Sequence, residues 1–289
     1  MNPLRQKLID EIDLRGRSVH TRRAYVQCIA RLAKFYQRSP DQLSDEEVRG
    51  YLLHLLRQEK LSASSLVVAV SALRFFYEHV LQRPPKVIEH VLPRSKTPVR
   101  RAQVYSVEEL EAFFAFPGLN RKHRAMYMTT YAAGLRVSET CQLKVEHLLS
   151  DRFQLRILQG KGKKDRYSLL SPRLLEELRA YWRIYRPKEW LFPTRLDPDS
   201  PLTTEGIRHA FVAAIQRAGL PARGGIHSLR HSFATHLLEA GVDVLTLQRL
   251  LGHSQLATTA NYLHVRRERL THVSGAMDLL GFRQALEKP

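Results

Sequence analysis

Apolar positions in the first hundred residues recur with a helical period. Tyr25, Ile29, Leu32 and Phe35 or Tyr36 follow one another at steps of three and four, which predicts an amphipathic helix capped by Ser18 and running to about Tyr36. Ser44 with Glu47 three residues on is a capping box, and the helix it opens carries Val48, Tyr51, Leu52, Leu55 and Leu56 on one side as far as about Lys60. Ser62 opens a third helix through Leu66, Val70, Leu73, Phe76 and Val80, stopped by Pro84-Pro85 and Leu92-Pro93. With a shorter segment from Pro3 to Leu14, the pattern predicts a small all-helical bundle over residues 1–91.

The periodicity lapses at 92–104, LPRSKTPVRRAQV, where proline and basic side chains replace apolar ones. This is expected to be an interdomain linker, either simply solvated or laid along a polyanion. A second domain, 105–289, opens with the capping box Ser106 and Glu109 ahead of Leu110, Phe113 and Phe114. A helix over about 121–131 breaks at Gly134. Period-two alternation then appears in FQLRILQ (153–159) and RYSLL (166–170), joined by the turn GKGKKD, as in a β-hairpin. Helical patterns return at about 172–185, 204–218, 228–240, 243–251 and 255–262. The expected class is mainly α with a small β-sheet.

Charge changes the picture from an ordinary folded chain to one with a polyanionic partner. The 289 residues carry 46 Lys and Arg against 28 Asp and Glu, a net +18 and an excess typical of proteins that meet nucleic acid or, second, an anionic membrane surface. The excess is not a tail: residues 1–104 and 105–289 each carry +9. Two basic domains suit a clamp. Cys28 and Cys141 are too few and too far apart for a disulfide framework, and the opening MNPLRQKLIDEID has no apolar h-region, so a cytoplasmic address is expected.

The polar candidates are ambiguous one at a time. Arg136 in YAAGLRVSE could be a functional group or a solvent-facing residue at a helix C-cap, and Lys161 in the hairpin turn could be no more than solvated. His227 and Arg230 in HSLRHS are three apart and share a helical face. His227 and His231 also have the spacing of zinc ligands, but no cysteine pair or HExxH glutamate accompanies them, so no metal is expected. LGHS supplies His253 and NYLHV supplies Tyr262, nine residues apart. The phosphate-binding pattern GxxxxGK[ST] is absent, which leaves nucleotide hydrolysis unsupported.

Taken in order, Arg in GLRVSE, Lys in a hairpin turn, HSLRH, LGH and the later tyrosine resemble the tyrosine recombinase family, in particular its Xer-type and phage-integrase members. The resemblance covers nearly the whole chain. It implies a helical N-terminal core-binding domain and a mixed α+β catalytic domain. It further implies strand cleavage and rejoining through a 3′-phosphotyrosyl intermediate, without metal, ATP or other cofactor. On this likeness Tyr262 is the nucleophile, Arg136 and Arg230 hold the phosphate, His227 and His253 assist, and Lys161 protonates the leaving oxygen. The candidate DNA contacts are Arg22, Arg23, Lys96, Arg100, Arg101, Lys163 and Lys164. Expected partners are double-stranded DNA bearing specific recombination sites and further copies of the chain, or a paralogue, in a tetramer assembled on DNA. No membrane partner is expected. A type IB topoisomerase and a non-catalytic DNA-binding protein of the same fold are the rival readings. Beyond Tyr262, Leu270, Val273, Met277, Leu280, Phe282 and Leu286 make the last segment more apolar than a solvated end, so it is expected to dock, preferably on a neighbouring subunit.

The chemistry fits the residue types. Opening a phosphodiester places negative charge on the nonbridging oxygens, and guanidiniums meet it with paired, permanently charged donors. A phosphotyrosine ester conserves the energy of the broken bond, so a 5′-hydroxyl can reseal the strand without ATP.

Overall fold

In a computed structural model, residues 3–84, 103–158, 165–253, 255–260 and 262 are described. The chain divides into two compact units, 1–100 and 101–289. The predicted linker at 92–104 lies almost wholly outside the described residues.

The first unit is helical throughout its described part: α1 (Pro3–Leu14), α2 (Val19–Tyr36), α3 (Asp45–Arg57) and α4 (Ala63–Phe75). The caps are those the sequence predicts. Ser18 accepts from the Thr21 amide, and the Ser44 and Glu47 side chains each accept the other's backbone amide, satisfying N–H groups that a helix start leaves unpaired. Leu8, Ile12, Ile29, Leu32, Val48, Tyr51, Leu55, Leu73 and Phe76 form the core.

Two details depart from expectation. Leu56 is exposed, because the buried stripe of α3 runs through Val48, Tyr51, Leu52 and Leu55 and turns away from the next position. The third predicted helix does not continue regularly to Val80 but widens into a π turn at Phe76–Val80. Phe75, Phe76 and Tyr77 are all buried there. Three consecutive residues on a regular α-helix spread over some 200° of its circumference, and widening the turn lets all three reach the core.

The second unit opens with α5 (Val107–Ala115), α6 (Arg121–Ala132) and the short α7 (Val137–Cys141). A three-stranded antiparallel sheet follows, in the order β1 (Leu148–Leu149), β2 (Gln154–Ile157) and β3 (Arg166–Leu169), with Leu155 opposite both Leu148 and Ser168. Hydrophobic alternation predicts β2 and β3; two residues are too few to register β1. Then come α8 (Pro172–Tyr185), α9 (Thr204–Arg217), α10 (His227–Glu239), α11 (Val244–Leu251) and α12 (Leu256–Ala260).

Phe113, Tyr127 and Phe211 pack ring against ring in the main core, while Phe233, Ala234, Leu238, Leu247, Leu251 and Tyr262 form a smaller one beside it. Gly134 joins these cores. Its φ is +59°, and a Cβ there would lie 2.4 Å from the Phe233 ring, so a side chain is excluded by both conformation and space. No helix among the described residues is long and apolar enough to cross a membrane.

Candidate active site

Three separated stretches of the second unit meet around one carboxylate. Gly134 turns the chain after α6, and Arg136 starts α7 rather than ending the preceding helix. This corrects the C-cap alternative: the Arg136 side chain is only 20% exposed and turns onto Glu139. Its guanidinium donates to Glu139 Oε1 at 2.7 Å, and its backbone amide donates to Oε2 at 2.7 Å. Arg166, from β3, adds two parallel bonds to the same carboxylate at 2.7 and 2.8 Å. Arg230, from α10, approaches Oε2 to 3.6 Å. Burial disfavours the charged carboxylate, but the bonds and charges of Arg166 and Arg136 outweigh it and hold Glu139 at about 2.

Arg230 is almost fully buried and closes two helix ends. It donates to Gly134 O at 2.7 Å and to Leu251 O at 2.6 Å, carbonyls lying where α6 and α11 have ended and hold no further intrahelical partner. Burial, reinforced by Arg136, lowers its pKa to about 9, which still leaves it charged at neutral pH. The geometry around it fixes His253. Gly252 takes φ +63°, and a Cβ on it would stand 2.7 Å from Arg166 Cδ, so a glycine lets the chain pass over that arginine. His253 Nε2 then lies 3.1 Å from Arg230 Nη2, with Nδ1 2.9 Å from Thr259 Oγ1. A guanidinium can only donate, which assigns the proton to Nδ1 and the lone pair to Nε2.

His227 begins α10. Burial first, then the charges of Arg230, Arg208 and Arg136, depress its pKa and favour the neutral ring. Tyr262 is 6% exposed in the smaller core, and its Oη lies 2.7 Å from His231 Nδ1. Burial raises the tyrosine's pKa while Arg230 and Arg136 pull the other way. His231 therefore faces the Tyr262 phenol. Among the described residues, no cluster of three or more His, Cys, Asp or Glu is placed to hold a metal ion.

The structure thus brings Arg136, His227, Arg230, His253 and Tyr262 into one region. Lys161, Lys163 and Lys164 lie outside the described residues, as do Lys96, Arg100, Arg101 and the segment after Tyr262. Of the remaining candidate DNA contacts, Arg22 pairs with Asp13 at 2.8 Å and Arg23 is exposed on α2. Sequence reasoning missed Glu139 and Arg166. Glu139 had a usable signal, because it stands three residues after Arg136, the same spacing as in the Ser44 and Ser106 capping boxes.

Comparison with known proteins decides the kinship. The family model described as "Phage integrase family" matches residues 104–269, and "Phage integrase, N-terminal SAM-like domain" matches 4–86. A putative integrase/recombinase, y4qK of Sinorhizobium fredii, is 42% identical over 280 residues, covering 97% of this chain and 90% of that protein. The chain belongs to the phage integrase family. Within this family of tyrosine recombinases it is Xer-like, and hence a site-specific recombinase. Tyrosine recombinase XerA of Thermococcus kodakarensis is 35% identical, with 90% of this chain and 89% of that one aligned. The fold agrees with a lambda integrase dimer bound to a COC′ core site at a TM-score of 0.73 and 19% identity, over 95% of this chain and 80% of that one. The integrase class is the expected one, mainly helical with a small sheet.

Proposed function

We propose that this recombinase cleaves and rejoins DNA through a 3′-phosphotyrosyl intermediate on Tyr262, without metal or ATP, as a tetramer on two sites. The observation that carries the proposal is the meeting of Arg136, Arg230, His253 and His227 beside Tyr262, with Glu139 and Arg166 behind them. Three arginines around one carboxylate leave a surplus of fixed positive charge, and a phosphate is a fitting counterpart.

In this reading Arg136 and Arg230 donate to the nonbridging oxygens as the phosphorus becomes five-coordinate, and His253 and His227 add hydrogen bonds. Glu139 and Arg166 are positioning residues, holding the arginines in place before DNA arrives. Tyr262 Oη bonds to phosphorus as the bond to the 5′ oxygen breaks. Lys161 gives that oxygen its proton. The net charge of +18 supports double-stranded DNA as partner, with Arg22, Arg23, Lys96, Arg100, Arg101, Lys163 and Lys164 on the phosphate backbone. The protein would work in the cytoplasm, with the segment after Tyr262 docking on the next subunit.

The test is capture of covalent protein on nicked duplex DNA. Wild-type protein should form an adduct and Tyr262→Phe none, with binding retained, because one oxygen is removed and no phosphate contact need change. An undiminished adduct from Tyr262→Phe would sink the assignment. Strand transfer between two sites is expected, whereas relaxation of supercoils alone would mark a topoisomerase.

A further inference from the structure

A phenol that attacks phosphorus must lose its proton, and among the described residues few groups around Tyr262 can take one. Arg136 and Arg230 have no acceptor atom. The Nε2 lone pair of His253 faces Arg230, and its Nδ1 proton faces Thr259. Glu139 is held by Arg136 and Arg166 and is far too weak a base. His227 also keeps a neutral ring, but the histidine in direct contact with the phenol is His231: Nδ1 to Oη is 2.7 Å, with the ring centroids 5.7 Å apart.

We propose that His231 is the proton acceptor for Tyr262, taking the phenolic proton during cleavage and returning it when the strand is resealed. The proposal rests on Tyr262 being the nucleophile. In cleavage the Oη–phosphorus bond forms and the bond from phosphorus to the 5′ oxygen breaks. The phenolic proton passes to Nδ1, leaving an imidazolium, and the 5′ oxygen leaves as a hydroxyl with a proton from the general acid assigned to Lys161. Resealing runs every transfer backwards, so no oxidant or added reactant is needed.

The surroundings suit a base that works only inside the reaction. Burial first, then His227 and Arg230 on the same helix, depress the basicity of His231, and Tyr262 faces it from the C-terminal segment. The neutral ring keeps a lone pair on Nδ1 at neutral pH, and Oη–H donates to it. Full transfer from a buried phenol to so weak a base is uphill until the oxygen begins to bond to phosphorus, when its proton turns acidic. The same weakness eases return of the proton to the departing phenol.

The experiment uses the full chain and a nicked duplex whose cleavage site has been mapped by capturing wild-type adducts on its genomic DNA. The leaving 5′ oxygen is replaced by sulfur, which departs without protonation, so the acid limb of the cleavage rate no longer reports the general acid, and the His231 variants separate His231 from His227. Wild-type protein should show one ionisation below neutrality. His231→Ala, and His231→Asn, which keeps a hydrogen-bonding group but cannot take the proton, should bind DNA normally. Both should cleave about 10²-fold or more slowly and lose that limb. Imidazole should restore His231→Ala. Cleavage by either variant within about threefold of wild type would overturn the proposal, and cleavage faster than wild type would mean that the contact merely stows the tyrosine. If neither variant folds, His231→Gln takes their place, and a wild-type rate flat across the acid range would by itself overturn the proposal. An adduct formed by Tyr262→Phe would instead overturn the nucleophile itself, irrespective of His231.

Discussion

Arginine is used differently in the two units. In the first, arginines pair singly with carboxylates at the surface: Arg31 with Glu59 at 2.5 Å, Arg22 with Asp13 at 2.8 Å, Arg83 with Asp45 at 2.9 Å. In these pairs the side chains keep between 27% and 49% exposure. In the second, Arg136, Arg166 and Arg230 gather on Glu139, which is 6% exposed. Each half of the sequence carries the same +9, so net charge cannot say which half holds the chemistry. The second unit has surface pairs too, such as Arg124 with Glu177 and Arg156 with Asp165; what separates it is that it also leaves charge in surplus where water is scarce. A surface pair in high dielectric contributes little. A buried surplus strongly favours an anionic ligand.

The sharpest way to break this comparison is to remove the shared carboxylate. Glu139→Ala leaves three guanidiniums facing one another without a counter-charge and should destabilise the second unit by about 3–5 kcal/mol in denaturant unfolding. Glu59→Ala, its surface counterpart, should cost less than about 1 kcal/mol. Equal costs would mean that the buried cluster is no more coupled than a surface pair. Next in size, Arg136→Ala and Arg230→Ala should slow adduct formation by roughly 10²–10³-fold while weakening DNA binding far less. Equal losses in rate and binding would reduce both arginines to ordinary phosphate anchors.

Much of the fold was legible because it is written locally. The capping boxes at Ser44 and Ser106, the caps at Ser18 and Ser62 and the three-four spacing each mark a helix from neighbours in sequence. The π turn at Phe76–Val80 was not, since it answers the tertiary demand to bury three aromatic rings in a row. The site divides in the same way. Arg136, His227, Arg230, His253 and Tyr262 could be nominated from the order of short motifs, whereas the role of Glu139 depends on Arg166 and Arg230 arriving from 27 and 91 positions away. His231 carried only a misleading zinc spacing. Its partner lies 31 residues downstream, a contact that only the packing of α10 against the later chain creates.

Acid should act on the second unit through its histidines. Burial is the largest cause of the lowered pKa of His123, His147, His227 and His231. The unfolded chain therefore takes up protons first as pH falls through about 6.5, so their contribution to stability is present above that value and lost below it. The thermal midpoint should fall between neutrality and about pH 5. Glu139, held at about 2, acts in the same direction only at much lower pH, below the ordinary carboxylate value, and so does not account for this step. His147→Gln should flatten the pH dependence, and a midpoint indifferent to pH in the parent protein would contradict the direction of all four shifts.

The smallest expected effect concerns the surface pair at the start of α2. Arg22 and Asp13 are 35% and 49% exposed, so breaking their bond should change stability by less than about 1 kcal/mol. Their charges can still matter to DNA, because each phosphate contact releases condensed counterions whatever its worth to folding. If Arg22 lies on the DNA path, Arg22→Ala should weaken binding modestly and reduce the slope of log affinity against log salt by about one. Asp13→Ala should act in the opposite sense, since it removes a competing carboxylate and frees the guanidinium for phosphate. Titrations of the two variants at several salt concentrations separate the cases. Slopes unchanged in both would take Arg22 off the DNA path and assign the binding charge of the first unit to other side chains.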